Sequence, residues 1–224
     1  MPAIYVSVDG ALDSYNDLLS AITDETDGRA DSTALSRFVR MAESDIRRAL
    51  AREPVRPMRT RTDLTVDAEY VLAPTTMVRP ISVELSDGTT TRRVPFIESE
   101  TVSRRKVVAS AFPEFFTREG DYLRFSPTPD VSYTGQLLYF DGLTALDSSN
   151  QTNWLFAEYP DIYLNGGLYY AYRYQPDIEK AALMKGLFDE GLMALAGAYP
   201  EPPSEAVLTV DVGLLAARAT WQTL

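Results

Sequence analysis

Two pairs of carboxylates, Glu98 with Glu100 and Glu158 with Asp161, have the close spacing from which an acid/base couple of a hydrolase could be built. The chain holds 32 acidic residues among 224, so such pairs also arise by chance, and helix caps account for both. Asp24-Glu25-Thr26-Asp27-Gly28 resembles a calcium loop. It lacks the alternating Asp spacing before the glycine and the closing glutamate, and reads better as a solvated acidic turn. Gly166-Gly167 falls inside a helical pattern rather than after a strand, so it is no phosphate loop. The chain has 0 Cys and 0 His. That removes disulfides, thiolate and imidazole metal sites, cysteine nucleophiles and histidine triads. No catalytic residue, metal ligand or cofactor-binding residue is assigned, and no cofactor is expected.

The elements that must position any function come from periodicity. Asp13 or Ser14 caps a first helix through about Thr23, with Tyr15, Leu18, Leu19 and Ile22 on its apolar side. Asp31 or Ser32 caps a second helix to about Arg52. Leu35, Phe38, Val39, Ala42, Ile46, Ala49 and Leu50 share one face of it. Arg37, Arg40, Arg47, Arg48 and Arg52 share the opposite face. Ile4, Val6 and Val8 alternate as a short strand or extended arm. From Thr60 the period becomes two. Strands are expected over 60–66, 69–72, 78–85, 90–97, 115–118, 122–125 and 132–140. Asp87-Gly88 and Glu119-Gly120-Asp121 mark hairpin turns. A short helix is expected over 98–108, and a polar loop over 141–151.

Residues 153–199 read as a helical hairpin. Pro160-Asp161 opens one helix and Pro176-Asp177 the next, since proline is tolerated in a first turn and a carboxylate suits the N-terminal dipole. Gly166 and Gly167 weaken a helix by about 1 kcal/mol each relative to Ala, so they imply close approach of another backbone, such as the helix 35–52. The expected fold is therefore α+β. Residues 1–59 supply N-terminal helices of a bundle, 60–150 an inserted antiparallel β subdomain, 151–200 a C-terminal helical hairpin, and 201–224 an extended C-terminal arm.

Three features suit contacts with other proteins. The arginines of the second helix form a local basic excess in a chain of net charge −11, read as a solvated face, as an electrostatic contact with an acidic partner or, third, as a nucleic-acid contact, which lacks base-stacking aromatics interleaved with the arginines. Tyr163, Tyr169, Tyr170, Tyr172 and Tyr174 crowd one region, and rigid amphipathic rings suit subunit interfaces, with core packing accounting for some. Beyond Pro200, Pro202 and Pro203 lie Val207, Leu208, Val210, Leu214, Leu215 and Trp221, either a docking arm or a segment packed on its own domain. The net acidity makes the chain a poor general ligand for nucleic acid. There is no run of about 18 apolar residues, and residues 1–9 do not read as a secretory signal, so no membrane association is expected.

Several stretches together, in their order and spacing, carry a likeness to a known family. They are Phe38-Val39-Arg40-Met41-Ala42-Glu43-Ser44-Asp45-Ile46-Arg47-Arg48-Ala49-Leu50 followed by Arg56-Pro57-Met58, then Thr60-Arg61-Thr62-Asp63-Leu64-Thr65. Further on come Gly120-Asp121-Tyr122-Leu123-Arg124-Phe125-Ser126-Pro127-Thr128-Pro129, and then Thr152-Asn153-Trp154-Leu155 with Tyr159-Pro160-Asp161-Ile162-Tyr163-Leu164-Asn165-Gly166-Gly167-Leu168. Together they resemble the head-to-tail adaptor (head-completion, connector) proteins of tailed bacteriophages and related gene-transfer particles, over about residues 15–198. The tyrosine-rich run 168–174 departs from this likeness, and the tail after Pro203 has no counterpart. The resemblance implies a structural virion protein at the head–tail junction, assembled in the host cytoplasm. Such proteins form a ring, usually of twelve copies, beneath the portal. They join portal to tail or nozzle protein and let genomic DNA pass without sequence-specific binding, through to genome ejection. The alternatives are a particle-associated, carboxylate-dependent glycan or peptidoglycan hydrolase, and another neck or tail-tube (nozzle) subunit.

Overall fold

The computed structural model describes residues 12–98 and 110–199. The strand expected at Ile4–Val8, the helix expected over 98–108 except Glu98 itself, and the arm beyond Pro203 lie outside the described residues. The described residues form an α+β structure in which helices from both ends of the chain flank an antiparallel β region.

Helix α1 spans Tyr15–Glu25 and α2 spans Ser32–Arg52. Each is started by the side chain the sequence offers: Ser14 accepts from the Asp17 amide, and Asp31 from the Ala34 amide. After a single 3-10 turn at Arg56–Met58, the chain enters β1 (Arg59–Val66), β2 (Tyr70–Leu72), β3 (Met77–Ser86), β4 (Thr91–Pro95), β5 (Phe115–Glu119), β6 (Tyr122–Ser126) and β7 (Tyr133–Asp141). Helix α3 (Trp154–Glu158), α4 (Pro160–Tyr174) and α5 (Ile178–Ala198) complete the described chain. The stretch expected as a two-helix hairpin is thus preceded by a separate short helix, since Pro160 has no amide hydrogen to carry α3 onward.

Among the described residues seven strands divide into two antiparallel sheets, ordered β1-β7-β3-β4 and β2-β6-β5. Their facing sides share one core built from Val66, Val83, Leu85, Val94, Phe116, Leu123, Phe125, Tyr133, Leu137 and Tyr139. Alternation sets the assignment: Tyr133, Leu137 and Tyr139 of β7 point into that core, while Thr134 and Gln136 are exposed on the far face. Phe140, of the outward parity, is buried instead in the helical core, with the guanidinium groups of Arg59 and Arg79 over its ring at 5.6 and 5.1 Å. It is the residue through which β7 hands the sheet to the bundle.

In the helical core α4 is central, packing against α1, α2, α3 and α5. A Cβ built on Gly166 would lie 2.8 Å from Ala42 Cβ of α2 and 2.9 Å from the Phe188 ring of α5. The missing side chain therefore lets three helices meet at one point. Gly167 serves the same purpose toward α1, where a Cβ would lie 2.5 Å from Ile22 Cδ1. The segment between β7 and α3, expected as a polar loop, buries Leu143 and Leu146 in the helical core. Polar spacing hid these two anchors.

Candidate assembly interface

The second helix carries the most heavily charged of the expected surfaces. Arg37, Arg40, Arg47, Arg48 and Arg52 are all exposed on one side of α2. Three are held by neighbours. Arg47 Nη2 lies 3.7 Å from Glu43 Oε2, Arg48 pairs with Asp45, and the Arg37 guanidinium sits 5.9 Å from the Phe38 ring centre. Arg40 and Arg52 make no ion pair among the described residues. Asp45 also accepts a 2.6 Å hydrogen bond from the Tyr170 hydroxyl. Burial, that bond and the Asp45 charge push Tyr170 up to about 12, so its hydroxyl keeps its proton and acts as donor.

The five expected tyrosines separate into two groups. Tyr169, Tyr170 and Tyr174 reach the surface of α4, with Tyr174 56% exposed and tilted 5.5 Å from Phe38. Tyr169 and Tyr170 pack on each other at 4.8 Å. Tyr163 and Tyr172, expected at a partner interface, are instead residues of the chain's own interior. Tyr163 is 0% exposed, its ring edge-on to Phe156 and its hydroxyl accepting from the Asn153 amide at 2.7 Å. Tyr172 donates at 3.1 Å to the Glu25 carbonyl, and Gln175 donates at 3.2 Å to the Thr26 carbonyl, so together they satisfy the open end of α1. Helical spacing alone could not separate these two from Tyr169 and Tyr174, because α4 has neighbours on several sides.

Periodicity missed two features. The outer side of α5 is apolar and open to solvent. Only Ala181, Phe188 and Leu195 of its 21 residues are buried, at seven-residue spacing, while Ile178, Leu183, Leu187 and Met193 are 80, 60, 41 and 75% exposed. Small residues fill much of the rest of that side, with Ala182, Gly186 and Ala194 exposed and Glu179 and Glu190 between. The second feature is Glu43, 2% exposed on the apolar stripe of α2. Its Oε1 accepts the Leu146 amide at 2.7 Å. Burial raises its carboxyl above the ordinary range, against the opposing pull of the Leu146 amide and of Arg47 and Arg40. A charged residue at i+4 from Val39 and i−3 from Ile46 was the readable signal.

The acidic pairs have structural surroundings. Glu158 accepts a 2.6 Å hydrogen bond from Tyr199, whose hydroxyl is also 3.4 Å from that of Tyr159. This pins the end of α5 to the α3–α4 junction. Asp161 stands in the first turn of α4. Glu100 lies outside the described residues. In the acidic turn, Asp27 pairs with Arg29 at 3.6 Å. Among the described residues no helix is long and apolar enough to cross a membrane.

A bundle with a basic helix face on α2, an uncovered apolar face on α5 and surface tyrosines between them has the make-up of a subunit that assembles with other proteins. The comparison with known families agrees. The chain belongs to the SU10 adaptor protein family, whose model matches residues 13–207. It is accordingly a structural adaptor protein of the phage type, a class associated with portal and tail proteins at the head–tail junction of the virion. No curated protein matches it.

Proposed function

We propose that identical copies of this chain, twelve in number, close into a ring beneath the portal, join the DNA-filled capsid to the tail or nozzle protein, and form part of the channel through which the genome is ejected. The observation that carries the reading is the exposed apolar side of α5, next to Tyr174 and Tyr169 of α4. A ring needs a heterologous contact that repeats until it closes. The α4–α5 hairpin supplies one side of that contact, with Tyr169, Tyr170 and Tyr174 at its margin.

The arginine face of α2 meets an acidic protein surface, of the portal or of the next copy. The net charge of −11 suits a conduit wall, because acidic side chains facing the lumen repel phosphates and do not grip passing DNA. In domain terms, residues 1–59 and 151–200 form the bundle of the ring body, 60–150 its β subdomain and 201–224 its arm. The assembly takes place in the host cytoplasm before the tail joins.

Co-expression with the portal protein, followed by particle imaging and mass measurement, tests this. A closed ring of this chain on the portal is the expected product. A single copy bound per portal, or arginines of α2 lining the lumen, would remove the reading.

A further inference from the structure

Two apolar stretches follow one another in the same chain. One is the outer side of α5, where Leu183 and Leu187 lie one turn apart and Met193 follows, all exposed. The other is the segment after Tyr199, in which Leu208, Val210, Val212 and Leu214 alternate with Thr209, Asp211 and Gly213. That alternation gives an extended chain one apolar edge. The family model matches residues 13–207, so this alternating run lies beyond the matched residues.

We propose that in the unassembled subunit residues 207–215 lie antiparallel along the outer side of α5 of their own chain. The root is placed for it. Tyr199 is tied to Glu158 at 2.6 Å, so the segment leaves from the end of α5 itself. From Tyr199 to Val207 the chain spans at most about 27 Å, enough to leave through the prolines and turn back. Leu208 to Leu214 then covers about 20 Å, and Leu183 to Ala198 of α5 about 22 Å, so the two edges match in length. A tether this short holds the segment at an effective concentration on the order of millimolar, ahead of any second copy. The consequence for assembly rests on the ring reading: the cover must be released before the same face packs on a neighbour.

A chain with 0 Cys makes the test direct. At about two helical residues per extended residue, Val212 falls beside Leu187. Full-length chain carrying both Leu187→Cys and Val212→Cys is oxidised at low concentration, beside a control pairing Ser44→Cys on α2 with Val212→Cys. The expected product is an internally crosslinked monomer, formed roughly tenfold faster than in the control. Disulfides only between chains, or none above the control rate, would overturn the proposal. Deletion of everything after Glu201 reports separately on the ring. If the deleted chain self-associates at lower concentration, the α5 face is an assembly face. If it stays monomeric while the crosslink forms, the cover stands and the ring contact lies elsewhere.

Discussion

Glu43 Oε1 of α2 accepts the backbone amide of Leu146 at 2.7 Å across 103 residues of sequence, inside the helical core. This bond fixes the segment that leaves β7 against the helix that precedes the sheets. It also satisfies an amide that would otherwise be buried without a partner. Glu43→Ala should therefore cost about 2–4 kcal/mol, from the orphaned amide and the space left behind. Thermal or urea unfolding of the isolated chain checks this, and a loss below about 1 kcal/mol would mean the connector is held mainly by Leu143 and Leu146.

The same residue sets a pH dependence. Burial raises the folded-state pKa of Glu43 above the ordinary 4.5, so the fold favours its protonated form. Its contribution is fully present below the ordinary value and is lost as pH rises through the folded value. Asp147, lowered by bonds from Ser149 and Asn150, works the other way. Its contribution is present above 3.8 and is lost as pH falls through its folded value. Wild type should thus gain stability relative to Glu43→Gln as pH falls from about 7 to about 5. Melting temperatures of both proteins across that range decide it, and a constant difference would contradict the assignment.

Gly166 and Gly167 should respond differently to alanine. At Gly166 the new methyl meets Ala42 Cβ and the Phe188 ring, neither able to move without shifting α2 or α5. Overpacking of this kind costs about 1–3 kcal/mol and outweighs the gain of about 1 kcal/mol in helix propensity. At Gly167 the obstacle is Ile22 Cδ1, the far end of a side chain that can rotate away. Gly167→Ala should be close to neutral. Equal losses at both positions would show that the α1 contact is as stiff as the α2 contact.

The sorting of the tyrosines predicts a clean division between folding and assembly. Tyr163→Ala should destabilise the isolated chain by about 3–5 kcal/mol, because it empties a fully buried site and takes away one of the two acceptors of the Asn153 side-chain amide, which keeps only the Thr144 carbonyl. Tyr174→Ala should change stability by less than about 1 kcal/mol and weaken ring formation instead. Unfolding curves and ring yield, measured on both variants, separate the two roles.

These differences show what a sequence can and cannot carry. Caps and breakers are local, so Ser14, Asp31, Pro160 and Asp177 placed helix starts within a residue or two of those observed. The turns at Gly88 and Gly120 likewise placed the hairpins, each glycine having the positive φ its turn requires. Helix α4 was less legible. It is surrounded by α1, α2, α3 and α5, so its apolar residues do not form one stripe, and surface and interior tyrosines look alike. The division of seven strands into two sheets depends on which strands pair at long range, which alternation leaves open. The bareness of α5 was hidden for the same reason as the tyrosines: an apolar helix face implies a partner but does not say whether the partner is in the same chain.

The arginine face should behave as a docking surface rather than as part of the fold. Reversing Arg37, Arg40 and Arg52 to Glu together should leave the melting temperature within a few degrees of wild type. None of the three makes an ion pair among the described residues. Binding to an acidic partner should weaken by at least roughly tenfold at low salt, and the difference should shrink as salt is raised. An unchanged affinity would mean that the face is only solvated.

The most direct test of the account is a symmetry-resolved reconstruction of the head–tail neck of the native particle. It should show a closed ring of this chain between portal and tail, with the α4–α5 hairpin between neighbours and acidic side chains toward the lumen. A neck containing one isolated copy, or a ring whose neighbours meet without touching α5, would contradict it.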